Sequence, residues 1–243
     1  MSRPRDATTM KTRFVLVCRP HTGSSYLEEL LNSHDNVVCT PQIKRVAKSL
    51  NVPLNSKINA LEFIEENIFK RNSEKDATGF KVKILEHSFE EYLRMTYPEM
   101  LEHLEGVKAV RLKRWNLLEC FVERCLCILN KNWGRTSEPF KIKRIQVNIT
   151  DCLEYFNSVT QQEDLYDKIF RNYEILEIQH KDLMLKTEST LNTIQDFLNV
   201  SQMKMKTTYI PRDNIVLDEM IENYDQIKQE LKDSPWGEFF RSL

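Results

Sequence analysis

A short loop with residues suited to phosphate binding follows the first apolar run of the sequence. The β-branched and apolar residues 13–18 predict a buried strand, after which Arg19-Pro20-His21 leads into Thr22-Gly23-Ser24-Ser25 and a leucine-containing helix. A glycine lets the backbone curl so that several N–H groups point into one concavity, and the helix N-terminus adds positive potential. Two adjacent hydroxyls can donate further hydrogen bonds. The segment therefore predicts a phosphate cradle, with an ordinary capped helix as the alternative.

The loop differs from the P-loop of nucleoside-triphosphate enzymes. The P-loop pattern G-x-x-x-x-G-K-[ST] places a lysine directly after its second glycine, whereas Ser24 follows Gly23 here. The lysine that contacts the terminal phosphates is missing, so we expect the lysine and magnesium-binding roles of the P-loop to be missing here. A nucleotide kinase is therefore only a secondary hypothesis for this sequence.

Net charge favours a compact anionic ligand over nucleic acid. The 243 residues include 35 Lys and Arg against 36 Asp and Glu, which gives a net charge of −1. Such a balance argues against general nucleic-acid binding. Residues 108–147 nevertheless contain ten Lys and Arg against three Asp and Glu. The connection 131–147 within this basic segment covers a ligand pocket, contacts a partner or is simply solvated, and the sequence leaves these alternatives open.

Cysteine and histidine spacing predicts neither a disulfide framework nor a metal site. His34, His103 and His180 show no metal-ligand spacing with a cysteine, and no C-x-x-C pair occurs among the six cysteines, which are Cys18, Cys39, Cys120, Cys125, Cys127 and Cys152. We expect reduced, buried thiols, a structural role for His34, and surface positions for His103 and His180. The apolar run 14–18 is too short for a signal peptide or a membrane span, which predicts a cytoplasmic protein without a membrane partner.

Strands alternate with helices along the chain, which predicts an α/β fold of three layers with a central parallel sheet flanked by helices. The predicted strands cover 13–18, 37–39, 79–85, 107–112 and 173–178, and the main predicted helices cover 60–71, 89–95, 98–104, 117–129, 149–171, 189–198 and 219–231. We expect a loose tail over residues 1–11 and a single domain over 12–243. Ligands of such sheets bind at the carboxyl ends of the strands.

The loop resembles the 5′-phosphosulfate-binding loop of sulfotransferases that use 3′-phosphoadenosine 5′-phosphosulfate (PAPS). The closest likeness is to the bacterial carbohydrate branch, whose loop runs roughly [RK]-T-G-S-[ST]-x-L and continues into ELLNSHPNV; residues 29–37 here read ELLNSHDNV. Three further stretches are similar to the same family: Gly79-Phe80-Lys81 followed by Glu86-His87, residues 110–118, and residues 221–225 with Trp236 and Phe239-Phe240. Four motifs in order make the resemblance specific, and it implies the P-loop-like sulfotransferase fold.

This resemblance implies roles for individual residues. It assigns the 5′-phosphate to backbone N–H groups and hydroxyls of Thr22-Gly23-Ser24-Ser25, and the predicted cofactor-binding set also includes Arg19, His21 and Tyr26. Arg114 would bind the 3′-phosphate, because an arginine presents a planar fork to phosphate oxygens. For Arg114 a surface salt bridge is the alternative. Asn116 either contacts the ligand or only caps the helix that follows.

Two positions near the predicted phosphates depart from the family pattern. The residue before Thr22 is usually Lys or Arg in the family but is His21 here, which carries a positive charge only when protonated. Arg19 is a possible substitute for that cation. The family also places a serine eight or nine residues after the arginine, where this chain has Val122 and Glu123. Because a carboxylate would repel phosphate, we expect Glu123 to turn away or to pair with Arg124.

The third departure concerns the catalytic base. The family branch often has a glutamate shortly after the second strand, but this chain has Gln42, which cannot take a proton. An acceptor hydroxyl must lose its proton as it attacks sulfur. His87, just after the strand 79–85, is the first candidate and Glu86 the second. Lys81 either holds the sulfuryl oxygens or is an exposed strand residue, and a structural role for His87 is equally open.

The resemblance thus implies a PAPS-dependent sulfotransferase that acts on a hydroxyl of a sugar or small metabolite, and the cysteine and histidine spacing predicts no metal. The predicted catalytic set is His21, Lys81, Glu86 and His87. One alternative is a nucleotide-binding protein of the same fold that has lost catalysis, which the departures at His21, Gln42 and Glu123 would explain. A nucleotide kinase is the less favoured alternative.

Overall fold

Five parallel strands form one sheet in the order β2-β3-β1-β4-β5. The computed structural model describes residues 11–52, 57–83, 101–132, 140–209 and 215–240. The strands are β1 (Thr12–Cys18), β2 (Val37–Thr40), β3 (Ala77–Lys83), β4 (Val107–Lys113) and β5 (Ile175–Gln179). The predicted α/β class with a central parallel sheet is confirmed. In this order β1 pairs with both β3 and β4, so Cys18 lies beside Lys83 on one side and Leu112 on the other.

Helices cover both faces of the sheet and its carboxyl edge. They are α1 (Ser24–Asn32), α2 (Ile43–Ser49), α3 (Lys57–Ile64), which continues as a π-helix over Glu65–Lys70, α4 (Leu117–Leu129), α5 (Ile149–Phe170), α6 (His180–Leu185), α7 (Thr187–Phe197), α8 (Leu217–Met220), α9 (Tyr224–Leu231) and a 3₁₀ turn at Gly237–Phe240. Among the described residues no helix is both long and apolar enough to cross a membrane.

The structure differs from the predicted elements in three places. The helix predicted over 219–231 is interrupted, because Ile221 forms an isolated parallel β-bridge with Ile145 between α8 and α9. Helices α2 and α6 were not predicted. The helix predicted over 89–95 and most of the one over 98–104 lie outside the described residues, as does the end of the strand predicted over 79–85.

Strand β1 is buried on both faces, which explains its continuous apolar run. Val15 and Val17 pack into one cluster with residues of α2, α3, the π-helix and α5. Phe14, Leu16 and Cys18 pack into the opposite cluster with residues of α1 and α7. Helices on both faces therefore clamp β1 and fix the point from which the loop departs.

Gly79 of β3 is required by the close approach of Phe14 on the neighbouring strand. A Cβ atom built on Gly79 would lie 2.3 Å from the Phe14 carbonyl oxygen and 2.6 Å from its ring. These distances are far below van der Waals contact, so any side chain here would push the two central strands apart. Close packing against Phe14 therefore explains why the Gly79-Phe80-Lys81 motif begins with glycine.

A third cluster joins α4 and α5 to the C-terminal residues. Phe156 of α5 contacts the rings of Trp236 and Phe239, with centroids 5.1 Å and 5.3 Å away. The Asn116 side-chain amide donates to the Phe239 carbonyl at 2.9 Å. These contacts place the C-terminal turn beside the carboxyl end of β4.

Candidate functional site

The loop between β1 and α1 has a conformation that leaves helix N–H groups open to a ligand. His21 and Gly23 both adopt left-handed backbone conformations, with φ of 62° and 80°. Gly23 is the N-cap of α1, and no side chain caps the helix. The first N–H groups of a helix have no partner within it, so they can bind an anion here. The Thr22 hydroxyl donates to the Arg19 carbonyl at 2.7 Å and holds the turn.

The hydroxyls of the loop are not equivalent. Thr22 is fully buried and its hydroxyl is used inside the loop. Ser24 is buried near the Cys18 thiol at the end of β1; burial raises the pKa of that thiol, and the Ser24 side chain partly opposes the rise. Ser25 and Tyr26 are half-buried, on the first turn of α1. Ser25 is therefore the most accessible of the three hydroxyls, while the Thr22 hydroxyl holds the turn of the loop.

Arg114 lies directly after β4 and faces the loop. Its Nη1 donates to the His21 carbonyl at 3.0 Å and to Glu123 at 2.8 Å, while its Nε donates to Glu119 at 2.9 Å. The side chain is only 4% exposed. Because β4 and β1 are neighbours, the residue predicted to bind the 3′-phosphate meets the loop predicted to bind the 5′-phosphate.

Glu123 points into the site, so the expectation that it turns away or pairs with Arg124 was wrong. One of its oxygens lies 3.2 Å from Nδ1 of His21, and the other accepts from Arg114. Burial raises the pKa of Glu123, but the His21 hydrogen bond and the Arg114 charge outweigh it and lower the pKa overall. Glu119 and Glu123 are four residues apart on α4 and therefore share the face that meets Arg114.

Arg19 hydrogen-bonds the backbone of Arg114. Its Nη2 donates to the Arg114 carbonyl at 2.9 Å, and its Nε lies 2.9 Å from a carboxylate oxygen of Glu163. The side chain is buried, and Nη1 has no hydrogen-bond partner among the residues that the structure describes. A buried guanidinium nitrogen without such a partner is costly, so it indicates a place where a ligand oxygen would be favourable.

Asn116 caps α4, as one of its two predicted roles requires. Its side-chain oxygen accepts from the N–H groups of Leu118 and Glu119 at 3.1 Å and 3.2 Å. Its amide nitrogen donates to Phe239. The side chain therefore joins the start of α4 to the C-terminal turn, and ligand contact by Asn116 stays a prediction.

Lys81 is buried and forms an ion pair with Glu28 of α1, so the alternative of an exposed strand residue is wrong. Lys83, two residues on, lies on the same face of β3. Burial lowers the pKa of Lys83, with further lowering from the Lys81 and Arg45 charges. Sequence reasoning missed Lys83, although its period-two spacing from Lys81 was a usable signal.

Both candidates for the catalytic base, Glu86 and His87, lie outside the described residues. Their roles remain predictions. The described part of β3 ends at Lys83 beside Cys18, the last residue of β1. The described part of β3 therefore ends next to the point where the loop leaves β1.

His180 packs against the loop, whereas the sequence predicted a surface position. It is only 8% exposed, and a Cβ on Gly23 would lie 2.9 Å from its Cδ2. Burial lowers the pKa of His180 to about 4, and the nearby Arg114 charge acts in the same direction. His34 is structural as predicted, because its ring bonds Ser201 and the Asn36 N–H. His180, at the start of α6, therefore packs against the loop and is uncharged at neutral pH.

A cavity of about 460 Å³ opens beside Arg114. It is within the size range of small-molecule sites in proteins. Its walls come from the start of α4, from α6 and from the C-terminal region, and they include Trp115, Lys181, Tyr224 and Phe239. The ring of Trp115 meets that of Phe239 edge to face, with centroids 5.3 Å apart. The cavity therefore combines a cationic end with aromatic walls.

His21, Glu123 and Cys127 are close enough together to hold a metal ion. One donor atom of each lies within 4.8 Å of the donor atoms of the other two. The prediction of no metal rested on His34, His103 and His180, and it did not consider His21. The six cysteines lie within the described residues and form no disulfide there; five of them are buried, and Cys125 is half-buried.

Comparisons with known proteins give relatives that match along the whole chain. No family model matches. The chain is 24% identical to Nodulation protein H of Rhizobium tropici over 236 residues, which span 93% of this chain and 92% of the relative. It is 23% identical to Nodulation protein H of Rhizobium meliloti strain 1021 over 238 residues, with coverage of 93% and 94%.

A solved structure gives the fold. The chain superposes on a sulfotransferase from Alicyclobacillus acidocaldarius with a TM-score of 0.52 and 13% identity, covering 96% of this chain and 97% of the other. The chain therefore has the fold of the sulfotransferases, and the resemblance to that family which its sequence motifs indicate is confirmed.

Proposed function

We propose that the chain is a sulfotransferase that takes a sulfuryl group from PAPS and transfers it to a hydroxyl of a sugar or small metabolite. The observation that carries the proposal is the loop after β1, where His21 and Gly23 turn the backbone and Arg114 contacts the His21 carbonyl. The proposal includes a cytoplasmic location, no nucleic-acid or membrane partner, and a glycan or small molecule as acceptor.

The loop would hold the 5′-phosphate of the nucleotide. Backbone N–H groups at the start of α1 and the Ser25 hydroxyl supply the hydrogen bonds, and each such bond to a charged phosphate contributes about 1.5–3 kcal/mol. The Arg19 Nη1 atom, which lacks a described hydrogen-bond partner, offers one more donor. Gly23 suits this role, because a side chain there would strike His180.

Arg114 would meet the 3′-phosphate, and the adjacent cavity would take the nucleoside. The aromatic rings of Trp115 and Phe239 on the cavity wall offer apolar surface to a base. Glu119 and Glu123 already occupy the Arg114 guanidinium. A 3′-phosphate must therefore compete with two carboxylates for this arginine, where the family pattern has a neutral serine.

The bound donor supplies the sulfuryl group. His21, held at Nδ1 by Glu123, is the proposed partner of the oxygen that bridges phosphorus and sulfur, where negative charge grows as the bond breaks. Lys81 and Lys83 at the end of β3 supply positive charge for the sulfuryl oxygens. His87, with Glu86 as second candidate, would take the proton of the acceptor hydroxyl as that oxygen bonds to sulfur.

Ligand-dependent melting tests the nucleotide part of the proposal. Adenosine 3′,5′-bisphosphate should raise the melting temperature of the protein, because a ligand that binds only the folded state stabilises it. ATP with magnesium should raise it little, since the lysine of the kinase P-loop is missing. Ser25→Ala should reduce the bisphosphate effect, while Ser49→Ala, an exposed serine on α2, should not. Stabilisation by ATP with magnesium alone would favour the kinase alternative.

Turnover with labelled PAPS and a panel of sugar acceptors separates an enzyme from a nucleotide-binding protein that has lost catalysis. If His87 is the base, His87→Ala should lower turnover by roughly 10²–10⁴-fold and leave bisphosphate affinity nearly unchanged. Wild-type turnover in that variant would assign the role to Glu86 or another group. Nucleotide binding without turnover on any acceptor would support the binding-protein alternative.

A further inference from the structure

We propose that His21, Glu123 and Cys127 form a binding site for a divalent transition metal of the zinc type. Their donor atoms lie within 4.8 Å of one another, and Cys127 is almost fully buried. Imidazole nitrogen, carboxylate oxygen and thiolate sulfur are the three kinds of ligand that zinc takes from proteins. The proposed function uses no metal, so this inference goes beyond it, although the metal site shares His21 and Glu123 with the proposed sulfuryl-transfer site.

Two elements bring the three ligands together. Glu123 and Cys127 are four residues apart on α4 and so project from the same face of the helix. His21 comes from the loop, where its left-handed backbone conformation turns the ring toward α4. Its Nδ1 lies 3.2 Å from a Glu123 oxygen. Two nitrogen or oxygen ligands on one tetrahedral zinc are about 3.3 Å apart at bond lengths of about 2.0–2.1 Å.

The surrounding charge favours a cation. Glu119 and Glu123 flank Arg114, and Glu163 pairs with Arg19, so three carboxylates face two guanidinium groups. Glu123 can serve both neighbours, because one oxygen accepts from Arg114 while the other faces His21. Metal binding would release the thiol proton of Cys127 to solvent and leave a metal–thiolate bond. The resulting cluster would be close to neutral.

Three protein ligands leave one coordination position for water or an anion, as in zinc sites with an exchangeable ligand. The three ligands are also shielded from solvent, since the side chains of His21 and Glu123 are only 9% and 12% exposed. This shielding favours retention of a bound ion. A small transition metal therefore fits these donors better than calcium or magnesium, which prefer oxygen ligands.

Cobalt(II) is a suitable probe, because it replaces zinc and absorbs light. The full chain, without a histidine tag, is titrated with cobalt(II) under reducing but chelator-free conditions. We expect one equivalent to bind, with visible d–d bands and a near-ultraviolet band from sulfur-to-metal charge transfer. Excess zinc should abolish both. Failure of the wild-type chain to bind one equivalent would overturn the proposal.

Matched cysteine variants identify the sulfur ligand. Cys127→Ala should lose the charge-transfer band. Cys120 is a buried cysteine on the same helix, and its thiol contacts the His21 carbonyl at 3.8 Å. The control variant Cys120→Ala should keep the band. Circular dichroism confirms that each variant is folded. If Cys127→Ala does not fold, Glu123→Gln, which leaves both thiols in place, should weaken cobalt binding and shift the d–d bands. A band that survives Cys127→Ala, or that disappears equally in Cys120→Ala, would refute the assignment.

Discussion

The buried cations around the loop are each held by a carboxylate: Arg114 by Glu119 and Glu123, Arg19 by Glu163, and Lys81 by Glu28. An unpaired charge in such surroundings would cost several kcal/mol. The carboxylates thus stabilise the cations when no phosphate is bound. If the proposed function is right, Glu119 and Glu123 would also compete with an incoming phosphate for Arg114.

Glu119→Gln should strengthen the binding of adenosine 3′,5′-bisphosphate by about 1–2 kcal/mol, because it removes a negative charge from the Arg114 guanidinium and keeps the side-chain shape. The affinity for adenosine 5′-phosphate, which lacks the 3′-phosphate, should change much less. Isothermal titration calorimetry measures both. Glu188→Gln, an exposed carboxylate on α7, makes the same change in net charge and is the control. An equal gain for both nucleotides would place the 3′-phosphate away from Arg114.

Among the elements, the β1–β3 pair is the one on which the site depends most directly. Strand β1 leads into the loop that contains His21 and Gly23, and β3 carries Lys81 and Lys83. Gly79 lets the two strands approach, because its missing side chain makes room for Phe14. The spacing of these strands therefore sets the distance between the loop and the lysines.

Gly79→Ala should lower the free energy of unfolding by about 3 kcal/mol or more, since the added methyl would overlap a backbone oxygen that cannot move alone. Urea denaturation followed by circular dichroism measures the change. Gly106→Ala is the comparison. Gly106 has open space around it but a positive φ, so we expect this variant to lower the free energy of unfolding by about 1–2 kcal/mol. Equal costs for the two variants would mean that the strands separate easily.

The local pattern of apolar and polar residues predicted the strands and helices well, but it predicted poorly how they pack together. The strands were predictable because apolar, β-branched runs bury both faces, and the loop because glycine and hydroxyls follow such a run. The break between α8 and α9 was not, because it comes from the pairing of Ile221 with Ile145, which lies far away in the sequence. The same reason explains the errors at Glu123 and His180. Their burial depends on how α4 and α6 meet the loop, and periodicity holds no information on that.

At the scale of the whole molecule, stability should fall in mild acid through His180. Its pKa is lowered to about 4 in the fold, against 6.5 ordinarily. Between these values the unfolded chain binds a proton that the folded chain does not, so the free energy of unfolding decreases as pH falls from about 6.5 to about 4. The loss from this residue is up to about 3 kcal/mol.

Chemical denaturation across this pH range tests the prediction on wild type and His180→Gln, which keeps a polar side chain but cannot titrate. The difference in stability between the two proteins should shrink or reverse as the pH falls. Titrating groups that do not interact with His180 affect both proteins alike and cancel in the difference, whereas Glu123, whose charge acts on His180, does not cancel fully. A constant difference across the range would show that His180 is protonated, or solvated, in the fold.

Residues 215–240 supply one wall of the cavity, and Asn116 holds the carbonyl of their Phe239. All five strands, the loop and Arg114 come earlier in the chain. The N-terminal part of a protein is synthesised first and emerges first from the ribosome. The sheet and the loop after β1 therefore leave the exit tunnel before the residues that enclose the cavity. A nascent chain halted before residue 215 would therefore display the loop beside an open groove. The enclosure of a ligand would be among the last features to arise during translation.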